Sequence, residues 1–233
     1  MKKGVIGAVS FAVIIVILIV SIIICSEWVP DGYTGVVVSM SHGADDNTLG
    51  RGWHIVSPMK KVRLFTTGNE VLILTKDKRE GSKDDDSFRV STADDATIAI
   101  SFQMSYRFSE DSVVQTYRRF KGMDGEDIIE KRVKPVMKAK VSEITTDYTL
   151  MQLYSGDRAK INDELTEYLN KEFGEAYGME VFDASIIDVH PDKQLRKTIN
   201  NRVTALQRKQ QAQAEQETAK VEASYNGGSL KVV

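Results

Sequence analysis

The chain opens with an unbroken apolar run, alternates apolar and polar residues through its middle, and then changes to the three-and-four spacing of helices. From Gly4 to Ser26 the run consists largely of Val, Ile, Leu, Ala and Phe and holds no Asp, Glu, Lys, Arg, Asn or Gln. A helix rises ~1.5 Å per residue, so about 20 such residues cover the ~30 Å of hydrocarbon in a bilayer, whereas a soluble core helix needs only one apolar face. The run predicts a transmembrane helix over residues 4–26, with Val5, Ile14, Ile15, Leu18 and Ile22 among its lipid anchors. A cleaved signal peptide is the alternative, because Lys2 and Lys3 make a basic start. Against it, the run exceeds the ~7–15 residues of a signal core, and Ile22, Ile23 and Ile24 stand where small cleavage-site residues belong.

Two stretches, Tyr33 to Met40 and Val62 to Leu74, are rich in β-branched and alternating residues and are set off by Gly50, Gly52, Pro58 and Gly68; they predict strands. Phe88 to Ser91 and Ala96 to Phe108 predict a hairpin turning at Ala93-Asp94-Asp95. Its second arm places Ile98, Ile100, Phe102, Met104, Tyr106 and Phe108 on one buried face.

The period then lengthens. Ile128, Ile129, Val133, Val136, Met137, Val141 and Ile144 form the apolar stripe of a helix that Pro135 should bend. A second stripe runs through Ile161, Leu165, Tyr168, Leu169 and Phe173, with Gly174 and Gly178 bounding the turn after it, and Val181 to Val189 predicts a returning strand. After Pro191 a last helix carries Leu195, Ile199, Val203 and Leu206 at seam spacing, and Gln207 to Ala223 continue it with strong helix formers but few large apolar groups. That helix needs neighbours, or it is a solvated rod; a frayed polar tail is the plainer alternative. Asn226-Gly227-Gly228 should end it. The short apolar end, with Leu230 and Val232, could pair with copies from adjacent subunits.

Charge adds orientation. Lys2 and Lys3 precede the apolar run, Glu27 and Asp31 follow it, and the next basic residue is Arg51. This predicts a cell-membrane protein with residues 1–3 in the cytoplasm and the C-terminal domain on the extracytoplasmic side. The formal net charge is −2 with acids and bases interleaved, and no basic face large enough for nucleic acid stands out. Asp45-Asp46-Asn47 and Asp84-Asp85-Asp86 look like solvated loops and lack the oxygen-ligand spacing of a calcium site.

Catalytic patterns are missing from the sequence. His42, His54 and His190 have no metal-ligand spacing around them, and the one cysteine, Cys25, lies at the end of the apolar run. No phosphate-binding glycine loop or G-x-S-x-G turn occurs, and Asp94 and Asp95, adjacent in a turn, diverge rather than converge on a substrate. Neither an enzyme nor a cofactor site is expected.

Six segments carry a family resemblance in order. Val29-Pro30-Asp31-Gly32-Tyr33-Thr34-Gly35-Val36-Val37 after an apolar span resembles the opening strand of the prohibitin/stomatin family, also called SPFH or band 7. Leu49-Gly50-Arg51-Gly52-Trp53-His54 with Pro58, and Ser91-Thr92-Ala93-Asp94-Asp95 before a strand ending Tyr106-Arg107-Phe108, resemble its next two segments. Asp157-Arg158, Tyr177-Gly178-Met179-Glu180-Val181, and Ile186-Ile187-Asp188-Val189-His190-Pro191 complete the set. The resemblance implies an α+β domain at residues 27–190, a coiled-coil-type helix at 191–225 and a short tail at 226–233. It also implies a scaffold that assembles into rings or cages on the lipid bilayer and corrals membrane proteins, AAA-type proteases among them. The single span resembles prohibitin and its bacterial relatives, although the last helix is shorter than the family's usual rod.

These readings predict a large homo-oligomer, with alternation of a homologous second chain left open, whose candidate interface is Leu195, Ile199, Val203, Leu206, Leu230 and Val232. The competing readings are a monomeric anchored module binding one partner and an exported enzyme.

Overall fold

A computed structural model describes residues 2–77, 85–156 and 158–228, and the side chains of all of these except residues 2–10, 12, 155 and 222–228. The chain divides into two compact units, one ending at Asp188 and the other beginning at Val189.

The first unit opens with helix α1, Lys2–Cys25. Its backbone has a length of about 36 Å, but the continuously described side chains begin at Val13 and cover only about 20 Å. Among the described residues, accordingly, no helix is long and apolar enough to cross a membrane. Every large apolar side chain described from Phe11 to Ile24 is exposed, so this described part of α1 buries no large apolar side chain against the rest of its unit.

Strand β1 (Ser26–Val29) follows without a linker and pairs antiparallel with β4 (Gly52–Ile55). Strands β2 (Tyr33–Ser39), β3 (Gly43–Leu49) and β5 (Lys60–Thr66) form an antiparallel sheet in the order β3-β2-β5. Gly35 lies at the centre of β2 because nothing larger fits: a Cβ there would come within 2.6 Å of Val62 Cγ1. The Asp45-Asp46-Asn47 loop expectation is corrected, since these residues belong to β3. Lys60 Nζ holds Asp45 at 2.7 Å, and Arg118 Nη2 donates to Asp46 Oδ1 and to the Ala44 carbonyl, both at 2.8 Å.

The other sheet is built on β8 (Thr97–Phe108), which pairs with β6 (Glu70–Leu74), β7 (Phe88–Ser91) and β9 (Met179–His190). All six alternating residues of β8 from Ile98 to Phe108 are buried, as the pattern predicts. Contacts from Arg107 to Glu180 and from Gln103 to Asp183 run in opposite chain directions, which sets β9 antiparallel to β8.

The helices of this unit are α2 (Val113–Arg119), α3 (Gly125–Ile128), α4 (Lys134–Thr145), α5 (Leu150–Ser155) and α6 (Arg158–Tyr177). A π turn, Ile129–Val133, joins α3 to α4, with the Lys134 N–H reaching the Ile129 carbonyl. The disturbance expected at Pro135 is thus taken up one turn earlier: proline has no N–H and crowds the carbonyl four residues back, and the wider turn relieves that crowding while Pro135 itself sits in the first turn of α4. Val136, expected on the buried stripe, points outward. Gly174 lies inside α6 rather than in the turn after it, and Gly178, at φ +64, ends that helix.

One face of α6 is apolar, with Ile161, Leu165, Leu169 and Phe173 buried. A second row, one helical turn apart, is polar. Asn162 Oδ1 accepts the Ile186 N–H at 3.1 Å, Thr166 Oγ1 the Ala184 N–H at 2.9 Å and Asn170 Oδ1 the Val181 N–H at 2.9 Å. Side chains on α6 thereby satisfy β9 N–H groups that a neighbouring strand would otherwise take.

The second unit is dominated by α7, Lys193–Gly228. Asp192 starts it, its Oδ1 accepting the Leu195 N–H at 2.7 Å. The helix includes Gly227 and Gly228, which the sequence suggested would end it with Asn226. Ile199 is buried, Leu195 and Val203 are half-buried, and Leu206 and Val221 are exposed.

Candidate functional site

The Thr92–Asp95 turn is tied into the helices by its polar groups. Asp94 Oδ1 accepts the Thr92 hydroxyl at 2.6 Å and the Leu150 N–H at 3.0 Å, while the Ala93 N–H donates to the Tyr148 carbonyl at 2.9 Å. Thr149 and Gln152 close a capping box on the same helix end. The Asp94 carboxylate is therefore committed to positioning α5. On that same segment, the Tyr148 hydroxyl donates to Glu164, which pushes its pKa up to about 12.

Arg158, at the start of α6, has a similar tying role. Its guanidinium donates to the carbonyls of Leu153 (2.9 Å), Tyr154 (3.1 Å) and Ile187 (3.1 Å), joining the end of α5 to β9. Its sequence neighbour Asp157 lies outside the described residues. At the other end of α6, Arg119 caps the carbonyls of Glu175 and Ala176, and the Thr116 hydroxyl donates to the Tyr177 carbonyl.

A cleft of about 690 Å³ opens between β5, β6 and the α3–π turn segment. Its floor includes Phe108 and Tyr106, and its rim carries Glu70, Asp124, Glu126 and Glu130 with Arg63. Glu70 Oε2 accepts the Thr66 hydroxyl at 2.7 Å and the Tyr106 hydroxyl at 3.5 Å, Arg63 lies 3.6 Å from Asp124, and Glu130 pairs with Lys134. Burial first, and then the Glu70 carboxylate, push the Tyr106 phenol well above its ordinary value of 10.0. A phenol that keeps its proton in this way serves as a hydrogen-bond donor to Glu70 rather than as a proton acceptor. Among the described residues, no group of His, Cys, Asp and Glu forms a metal-binding cluster.

The Tyr106 shift has a measurable sign. The folded chain holds this proton more tightly than the unfolded chain, so the stabilisation is complete below pH 10 and is lost as pH rises through the folded value. Tyr106→Phe is expected to cost at most about 1 kcal/mol at neutral pH, because the 3.5 Å hydrogen bond is long. It should also flatten the alkaline decline in stability, as read by urea midpoints from about pH 9 to about pH 11.

The residues expected to anchor or assemble the chain are spread over two helices. On α1, Ile14, Ile15, Leu18 and Ile22 are exposed, and the side chain of Val5 lies outside the described set. On α7, Leu195, Ile199, Val203 and Leu206 share one helix but differ in burial, while Leu230 and Val232 lie outside the described residues. Sequence reasoning missed the roles of Asp94 and Arg158 as helix ties. Their partners lie on segments whose proximity only the fold creates.

A family model described as SPFH domain / Band 7 family matches residues 28–223. The chain belongs to the SPFH/Band 7 family. The match covers the β3-β2-β5 sheet, the sheet built on β8, all of the β1–β4 ribbon except Ser26 and Glu27, the helices from α2 to α6 and most of α7, so the ordered segments of the resemblance fall within one family match. The SPFH architecture here is α+β, with antiparallel sheets followed by helices. The family is one of membrane-associated scaffolds whose members are generally not enzymes. No curated protein gives a significant match to this chain.

Proposed function

We propose that this SPFH protein is a non-enzymatic scaffold subunit that crosses the membrane once through α1 and assembles laterally into a ring or cage. The observation that carries the reading is the exposure, on all sides, of the large apolar side chains described from Phe11 to Ile24. A helix whose described large apolar side chains all face outward is stable in hydrocarbon and unstable in water. The helical backbone from Lys2 to Cys25 is long enough for the crossing, and the apolar sequence extends from Gly4 to Ser26. With Lys2 and Lys3 on the cytoplasmic side, the SPFH domain lies extracytoplasmically.

The exposed polar length of α7 supports assembly. A long helix of Gln, Ala, Glu and Lys is marginal alone and gains stability beside copies of itself, with Val203 and Leu206 available for contact. Identical contacts repeated by rotation close into a ring. Such a ring would bound a membrane zone and hold membrane protein partners, an AAA-type protease being one class it would suit.

Native sizing in a mild detergent tests the assembly. The expected particle is many subunits in mass, and Val203→Glu with Leu206→Glu should reduce it to small species while leaving the far-UV helical signal largely intact. A monomer in every mild detergent would overturn the scaffold reading and favour a module that anchors one partner.

A further inference from the structure

The two tryptophans of the chain, Trp28 and Trp53, face each other across the β1–β4 ribbon, with ring centroids 5.2 Å apart. The ribbon has two unlike faces. One face carries fully buried Val29 and half-buried His54 together with the exposed, charged Glu27. On the other face Trp28, Trp53 and Ile55 are 50%, 70% and 82% exposed, and Ile55 is paired in register with Ser26. Three large apolar side chains in one exposed row on a short ribbon call for an occupant.

The position of the ribbon identifies the occupant. β1 begins at Ser26, directly after the last residue of α1, and the Val56 N–H donates to the Cys25 carbonyl at 2.7 Å, so both strands are bound to the helix end. At about 3.3 Å per residue, Trp28 lies within roughly 10 Å of Cys25 along the chain, and register brings Trp53 and Ile55 alongside. The polar interface on each side of a bilayer is several ångströms deep, and indoles settle there because a large apolar ring carries one N–H donor.

We infer that the Trp28–Trp53–Ile55 face is a membrane foot, seated in the headgroup and upper acyl region of the leaflet where α1 emerges. This rests on the reading of α1 as a membrane helix and adds a second attachment. A helix alone leaves the SPFH domain free to swivel, whereas a helix and a foot joined by the Cys25–Val56 hydrogen bond fix its tilt against the bilayer. Neighbouring subunits then meet at a defined angle.

The indoles report on this directly, since no other tryptophan contributes to the emission. The full chain is reconstituted in phosphatidylcholine vesicles whose lipids carry bromine either near the carbonyls or near the chain ends. The expected result is blue-shifted emission, strong quenching by the shallow bromines, weaker quenching by the deep ones, and little by aqueous acrylamide. Ile55→Lys should lower the bromine quenching and raise the acrylamide quenching while leaving the protein in the vesicle pellet. Alkaline carbonate extraction of the same vesicles reads α1 separately. Protein retained in the pellet with water-exposed indoles would overturn the foot alone. Protein released into the supernatant would overturn the membrane helix and the foot with it. Indoles shielded from both quenchers would assign the face to contacts between copies and would likewise overturn the proposal.

Discussion

Phe108→Ala is expected to remove about 3–5 kcal/mol of the stability of the first unit, the range for deleting a buried aromatic ring from a packed core. Phe108 is fully buried at the end of β8, edge-on to Phe65 with centroids 5.2 Å apart and edge-on to Tyr106 at 6.4 Å. Gly125 approaches the same ring, since a Cβ at that position would sit 3.4 Å from Phe108 Cε2, so the ring also supports α3 and the π turn. Those neighbours belong to a sheet and to a helix that comes up against β5, and cannot collapse together to fill the space. Phe182→Ala is the control, because that ring is exposed beneath the Arg107 guanidinium and its loss should cost less than about 1 kcal/mol. Urea midpoints of the two variants in the same detergent make the comparison. A Phe108 shift no larger than the Phe182 shift would refute this account of the core.

Arg158→Met is expected to be the most damaging polar replacement, at about 3 kcal/mol, because it leaves three carbonyls without their charged donor. Leu153 and Tyr154 supply two of them from the end of α5, and Ile187 supplies the third from β9. Arg158→Lys should recover only part of the loss: an ammonium keeps the charge, but it lacks the planar fork that reaches three oxygens at once. Hydrogen exchange localises the effect. Faster exchange is expected in α5 and in β9 near Ile187, with the β2–β3–β5 sheet unchanged. Uniform acceleration over the whole unit would point to global destabilisation instead.

Features carried by a continuous pattern could be read without the fold. The six-residue alternation of β8 and the apolar stripe of α6 each report one buried face, and burial is what hydropathy records. β3 was not legible in the same way. Asp45 and Asp46 are poor strand residues, and their partners, Lys60 and Arg118, are 15 and 72 residues away. The β1–β4 ribbon escaped notice because each strand has four residues and neither, unlike β7 beside β8, adjoins a long alternating partner in the sequence. Short α2 and α5 were hidden because they have too few residues to show a period. Asp94, read from the sequence only as one of two turn carboxylates that diverge, shows its role once the Leu150 N–H, 56 residues on, is seen to use it. The candidate anchoring residues of α1 stand out in the sequence as an uninterrupted apolar run, whereas the contrast between buried Ile199 and exposed Leu206 on one helix depends on three-dimensional surroundings that spacing does not encode.

The polar row of Asn162, Thr166 and Asn170 has a consequence for life in a crowd. If subunits crowd in a membrane as proposed, they would meet copies of themselves continually, and an open strand border would invite those copies to add on without limit. Occupying the Val181, Ala184 and Ile186 donors of β9 from within the same molecule blocks that route to runaway stacking along this strand. In the proposed assembly, close neighbours would then associate through helices and charged surfaces, which can stop growing once a closed shape is complete.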